Sequence, residues 1–151
     1  MKRLLSIGLV IVMVMLCFSG CALSIRPSGE VYTDFNGVYI TIDSVDDSGD
    51  TSLLIVTWHN ETDSTIVFGM GYTIEYLDGE EWKNIRVIDF AIPEIARVLE
   101  AHQTVEHSYS TKYFNMIRSG TYRIRTEFYV EGDEPKSGIA WAEFEQLKQK
   151  N

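Results

Sequence analysis

Residues 121–130 read Thr-Tyr-Arg-Ile-Arg-Thr-Glu-Phe-Tyr-Val and form the clearest strand pattern in the chain. Bulky apolar residues alternate with charged ones at a period of two. Because successive side chains of a β-strand point to opposite faces, this period predicts a strand with one face in a core. The predicted inward set is Tyr122, Ile124, Thr126 and Phe128, and the outward set is Arg123, Arg125, Glu127 and Tyr129.

Short apolar runs of the same kind recur on both sides of this stretch, separated by polar or glycine-containing turns. Asp78-Gly79 is the strongest turn signal, because these residue types accept the positive φ of a tight hairpin. Many short strands with little helix signal predict an all-β fold. We expect an antiparallel, immunoglobulin-like β-sandwich of seven to eight strands, with a small barrel as the alternative. The predicted strands cover residues 38–42, 52–60, 65–77 with a break near Gly69, 81–85, 103–110, 121–130 and 139–145.

The stretch from Val87 to Leu99 is the least regular part of the domain. Pro93 disfavours a strand interior, and Pro93 to Arg97 is compatible with one helical turn that begins at the proline. The strand order around this stretch stays open.

The N-terminus has the composition of a secretory signal. Lys2 and Arg3 precede an apolar run at residues 4–18, and small residues follow it. The run is shorter than the ~20 residues that a membrane-spanning helix needs. We predict a signal peptide at 1–20, a tether at 21–30, a sandwich domain at 31–146 and a polar tail at 147–151.

The tetrapeptide Phe18-Ser19-Gly20-Cys21 resembles the lipobox of bacterial lipoproteins, although leucine is usual where Phe18 stands. The resemblance implies cleavage before Cys21 and a diacylglycerol on its thiol, which would place the chain on the extracytoplasmic face of the cell membrane. Two acyl chains suffice for stable anchoring. An ordinary secretory signal and an uncleaved signal anchor are the alternatives.

The charge and cysteine content exclude several classes of function. The formal charge is −9, and it becomes −11 once Lys2 and Arg3 leave with the signal. Such an acidic chain is a poor nucleic-acid binder and is repelled by anionic lipid heads. With Cys17 removed and Cys21 acylated, no thiol is left for a disulfide, a thiolate metal site or a nucleophile.

Four segments carry a second resemblance. They are Leu53 to Asn60, Phe68-Gly69 with Tyr72 to Glu75, Gly79 to Trp82, and Ser119 to Ile124. Over about Val38 to Phe144 the chain is similar to the bacterial Ig-like domains of envelope lipoproteins. The resemblance implies a non-catalytic extracytoplasmic module without a cofactor. Its expected partners are the membrane, through the lipid, and an envelope protein or wall component.

One binding patch is predicted on the outward face of the strands. If Phe144 faces the core, Trp141 points outward beside Arg123, Arg125 and Tyr129. Trp, Tyr and Arg are enriched in binding hot spots. Stacking of an arginine on the tryptophan within the chain is the alternative role for these residues.

A weaker cation site is suggested by Asp43, Asp46, Asp47 and Asp50, because calcium prefers several oxygen ligands. Their spacing is not that of an EF-hand, and a solvated turn also favours aspartate. A calcium-stabilised adhesin is therefore an alternative function.

No catalytic constellation is recognisable in the sequence. His59, His102 and His107 lack metal-ligand spacing, and no serine lies in a nucleophile elbow. We expect no enzyme activity. A small envelope hydrolase or inhibitor with a site near residues 87–99 is the remaining alternative.

Overall fold

Because apolar and polar residues alternate along most strands, one side of each strand is apolar. These apolar sides pack together as a common core. A computed structural model describes residues 25–46, 52–87, 95–116 and 119–147. The predicted signal peptide, Cys21, Asp47 and Asp50 lie outside the described residues, as does most of the predicted polar tail.

Two antiparallel sheets pack face to face. The larger has the order β1-β9-β8-β4-β5, with β6 also paired to β4, and the smaller has the order β2-β3-β7. This arrangement confirms the predicted antiparallel sandwich, with nine strands in the described residues where seven to eight were expected. The strands are β1 Ile25–Thr33, β2 Val38–Asp46, β3 Leu53–Asn60, β4 Ile66–Asp78, β5 Glu81–Asn84, β6 Ala96–Leu99, β7 Thr104–Ser110, β8 Gly120–Val130 and β9 Lys136–Gln146.

Residues 25–30, expected in the tether, instead form the first part of β1. This strand pairs with β9, where Tyr32 lies opposite Trp141 and Val31 opposite Ala142. Pro27 and Gly29 made the segment look like a linker. Proline is tolerated at a sheet edge because an edge strand leaves one side of its backbone unpaired.

The expected helical turn at Pro93 to Arg97 is wrong at its C-terminal end. Ala96 and Arg97 belong to β6 and pair with Gly69 and Phe68 of β4. Pro93 itself lies outside the described residues. Pairing with a neighbouring strand, which local sequence does not encode, decides the conformation here.

Aromatic residues from both sheets fill the centre of the core. Trp58 of β3 is fully buried and stacks on Phe68 of β4, with ring centroids 4.3 Å apart. Its indole Nε1 donates a hydrogen bond of 3.0 Å to the hydroxyl of Tyr109, and Tyr72 donates one of 2.5 Å to the carbonyl of Ser110. Burial raises the pKa of both tyrosines to about 12, so they stay protonated and available as donors.

A buried side-chain amide joins the sheets at one end. Asn60 is 1% exposed, and its Nδ2 lies 2.8 Å from the carbonyl of Ser64. The same nitrogen lies 3.2 Å from the carbonyl of Leu99 and 3.0 Å from that of Glu100. Its Oδ1 accepts a bond of 2.7 Å from Thr62. One asparagine thus donates hydrogen bonds to carbonyls of two separate turns. Such bonds are needed because buried polar groups are costly without a hydrogen-bond partner.

Four turns meet at this end of the sandwich, which we call the four-turn end. They are residues 34–37, 61–65, 100–103 and 131–135. The amide of Glu61 donates to the carbonyl of Gly37 at 2.7 Å, and that of Glu131 donates to Thr65 at 2.9 Å. These turns carry seven acidic residues and no lysine or arginine, so one end of the domain is strongly negative.

Gly138 is the position where the core leaves no room for a side chain. A Cβ there would lie 2.3 Å from the ring Cζ of Phe128. We expect Gly138→Ala to lower the free energy of unfolding by about 1–3 kcal/mol, because the phenyl ring must leave its rotamer or the backbone must shift. Urea denaturation measures the change.

Gly132→Ala is the matched control, since a Cβ at Gly132 meets no atom within 4 Å. Its free energy of unfolding should change by less than about 0.5 kcal/mol. Equal effects of the two substitutions would contradict the close contact at Phe128.

Candidate binding face

All four residues of the predicted patch lie on the outer face of the larger sheet. Arg125 of β8 is paired with Trp141 of β9, Arg123 lies two residues earlier in β8, and Tyr129 lies opposite Ser137. The outward side chains of β8 and β9 therefore form one continuous surface, as the two-residue period predicts. A binding role for these residues remains a prediction.

The outer face has a packed part and an open part, and Arg123 lies in the packed part. Its guanidinium carbon lies 4.3 Å from the ring centroid of Trp82 and 5.4 Å from that of Trp141. Its Nε donates to the carboxylate of Glu75, and the arginine side chain is only 17% exposed. Tyr32 of β1 stacks on Trp141 at 6.0 Å. We call Tyr32, Trp141, Arg123 and Trp82 the aromatic–arginine row.

The aromatic–arginine row shows that intramolecular stacking, the alternative raised from sequence, does occur at Arg123. Trp82 was missed as a member of this face. The hairpin at Asp78-Gly79 pairs Trp82 with Leu77, and this register places the tryptophan on the outer side. Combining the hairpin register with the alternation in β8 is the signal that would have found it.

Arg125 and Tyr129 line a depression in the other part of the face. Its volume is about 370 Å³, and the further lining includes Gly69, Gly71, Thr73 and Glu127. We call it the outer-face depression.

The outer-face depression arises from a β-bulge in β4. Phe68 pairs with Phe128 and Tyr72 with Thr126, so residues 69–71 oppose the single residue Glu127. The bulge is fixed from the core side, because Thr126 donates a hydrogen bond of 3.0 Å to the carbonyl of Gly71. Bulges of this kind re-aim side chains and break the flatness of a sheet. The two glycines leave the space above the bulge open.

The polar groups of the outer-face depression are loosely engaged. Arg125 Nη1 lies 3.4 Å from Glu127 Oε1, a long contact for an ion pair. The Oγ1 of Thr73 is buried and has no hydrogen-bond partner. Tyr129 is 55% exposed, the second most exposed large apolar side chain after Val98 among the described residues. Arg125, Glu127 and Tyr129 are therefore available to contact another molecule, whereas the Oγ1 of Thr73 is enclosed.

The two described aspartates of the suggested cation site lie in different environments. Asp43 accepts hydrogen bonds from Thr41 at 3.0 Å and from Thr57 at 2.5 Å. Asp46 ends β2 opposite Leu53. Across the described ranges, no three His, Cys, Asp or Glu side chains are placed to share a metal ion.

The three histidines occupy three separate environments. His59 stacks on Tyr39 with centroids 4.4 Å apart, and His102 lies 2.8 Å from Asp63 at the four-turn end. His107 is buried, and this burial, followed by the positive charge of Arg97, lowers its pKa. The histidines therefore do not converge on a common site.

The described structure defines a class of protein: an immunoglobulin-like sandwich of two antiparallel sheets. The chain matches the family model described as bacterial Ig-like domain over residues 34–147, and it belongs to that family. Strand β1 lies wholly before the matched segment and adds an edge to the larger sheet. Domains of this family are typically extracellular or surface-exposed and generally non-catalytic.

No curated protein matches the chain. No helix within the part that the structure describes is long and apolar enough to cross a membrane.

The contribution of the Arg123–Glu75 ion pair to stability can be tested by substitution. Glu75→Gln leaves Arg123 with its charge largely buried and unpaired, so we expect a loss of about 2–3 kcal/mol in the free energy of unfolding. Asp78→Asn breaks the exposed Lys83–Asp78 pair, whose side chains are 55% and 48% exposed. It should cost less than about 1 kcal/mol. Urea denaturation of both variants measures the difference, and losses of similar size would contradict the structural role of Glu75.

Proposed function

We propose that this protein is a lipid-anchored, non-catalytic binding or accessory module on the extracytoplasmic side of the cell envelope. The observation that carries the binding role is the exposed outer-face depression with Arg125 and Tyr129, set on a rigid sheet. The lipobox-like sequence before Cys21 supports the anchor, and family membership supports an extracellular location.

The proposed mechanism is presentation of a fixed surface. The aromatic–arginine row packs one half of the outer face, and the bulge in β4 shapes the other half. A surface that is already ordered loses little side-chain entropy when a partner binds. The lipid would hold the domain at the membrane, and the sheet would provide a preformed contact area.

If Cys21 carries the lipid, the position of strand β1 supports one orientation of the domain on the membrane. Only residues 22–24 separate Cys21 from Ile25, so the two Cα atoms can be at most about 14 Å apart. Ile25 pairs with Gln146, which also pairs with Gly120. The end of the sandwich that holds these residues would therefore lie next to the lipid, and the four-turn end would point away.

The proposed lipid anchor at Cys21 predicts what happens when this cysteine is replaced. Cys21→Ser should abolish incorporation of labelled fatty acid and leave the chain either uncleaved or released from the membrane. Cys17→Ser is the matched control and should leave both properties unchanged, because this cysteine would leave with the signal peptide. Mass spectrometry of the mature N-terminus checks the result. An unmodified Cys21 on the wild-type protein would overturn the anchor.

The orientation predicts different depths for two exposed positions. In the lipidated protein, a fluorophore on Ser119→Cys should be quenched by brominated lipids several-fold more than one on Asp133→Cys. Ser119 precedes β8 at the end nearest Ile25, whereas Asp133 lies in a turn of the four-turn end. Equal quenching at both positions would show that the domain does not stand with the four-turn end outward.

A further inference from the structure

We propose that the outer-face depression binds one uncharged sugar unit of a polysaccharide. The inference deepens the proposed function, because it names the chemical class of partner for the same face. It rests on the shape of the depression, on one free aromatic ring and on a balanced set of polar groups.

Tyr129 supplies the apolar wall that a sugar ring needs. The C–H groups of a pyranose form an apolar face, which packs well against an aromatic ring that carries a polar tip. Within the described part of the chain, no aromatic ring stacks on Tyr129, whereas Trp141 is engaged by Tyr32 and Arg123. Tyr129 is therefore the ring on the outer face that is available for such stacking.

Arg125 and Glu127 supply the donors and acceptors for sugar hydroxyls. A hydroxyl both donates and accepts, so it can bridge a guanidinium and a carboxylate that hold each other only loosely. The contact of 3.4 Å between these partly exposed side chains is weak, so the two can separate to admit a bridging hydroxyl.

The charge of the outer-face depression favours an uncharged ligand over an ion. Arg125 and Glu127 carry opposite charges that nearly cancel, and the chain as a whole has a formal charge of −9. Long-range repulsion therefore disfavours polyanions. The volume of about 370 Å³ lies near the lower limit of small-ligand sites, about 300–1,000 Å³, which suits a single ring with its chain continuing across the open face.

Titration of the full-length lipidated protein in detergent micelles tests the proposal. The probes are cellopentaose and chitopentaose, two uncharged oligosaccharides, and isothermal calorimetry is the readout. We expect saturable binding of at least one of them. Gly71→Leu should weaken it at least about tenfold, because a Cβ at Gly71 meets no atom within 4 Å and a leucine there would extend into the open space of the depression. Tyr129→Ala should have a similar effect.

Tyr39→Ala is the matched control, since Tyr39 lies on the smaller sheet and stacks on His59. It should leave sugar affinity unchanged, and thermal unfolding should show that all three variants remain folded. Absence of saturable binding to both probes, equal affinity in all variants, or binding of a peptide library but of neither sugar would overturn the proposal. Because the titration does not depend on the anchor, a negative result with intact lipidation would remove the sugar site and leave the anchored module standing.

Discussion

The contact between Trp58 and Phe68 is the interaction on which the rest of the molecule depends. It brings the central strand of the smaller sheet against β4 of the larger one, at a centroid separation of 4.3 Å. Aromatic side chains bury large areas, and this burial is the main favourable term in folding. The indole must also satisfy its N–H, and Tyr109 accepts that hydrogen bond inside the core. Across the sheets, Tyr72 of β4 donates a hydrogen bond to the carbonyl of Ser110 of β7, so packing and a directional bond together hold the two sheets in one relative position.

The position of the sheets explains why the two sides of β8 have such different roles. Its inward residues, Tyr122, Ile124 and Phe128 among them, are buried against the smaller sheet. Its outward residues are free to form a surface, and neighbouring strands determine what each of them meets. Arg123 meets two tryptophans and Glu75, so it is a packed residue. Arg125, two positions further along, meets the bulge of β4 and lines an open depression. One alternating pattern thus produces a structural arginine and an available one.

Charged residues have different surroundings at the four-turn end and on the outer face of the larger sheet. The acidic residues of the four-turn end lie in turns whose backbone is tied together by Asn60 and by hydrogen bonds between turns. Exposed carboxylates there keep the domain soluble without a cost in the core. Arg123 and Glu75, by contrast, are paired because both are largely removed from water. The proposed anchor would place the acidic end away from the lipid surface.

The amino-acid sequence alone determined the all-β class, the antiparallel sandwich, most strand positions and the outward direction of Arg123, Arg125, Tyr129 and Trp141. These features follow from the two-residue period and from turn residues, which are local properties of the chain. Only the tertiary structure decided that residues 25–30 pair with β9, that Ala96 and Arg97 form an edge strand, and that Trp82 reaches Arg123. It also decided that the break near Gly69 is a bulge beside an open depression. Each of these depends on which distant strand supplies the hydrogen-bond partner, and pairing between distant strands leaves no periodic mark in either segment.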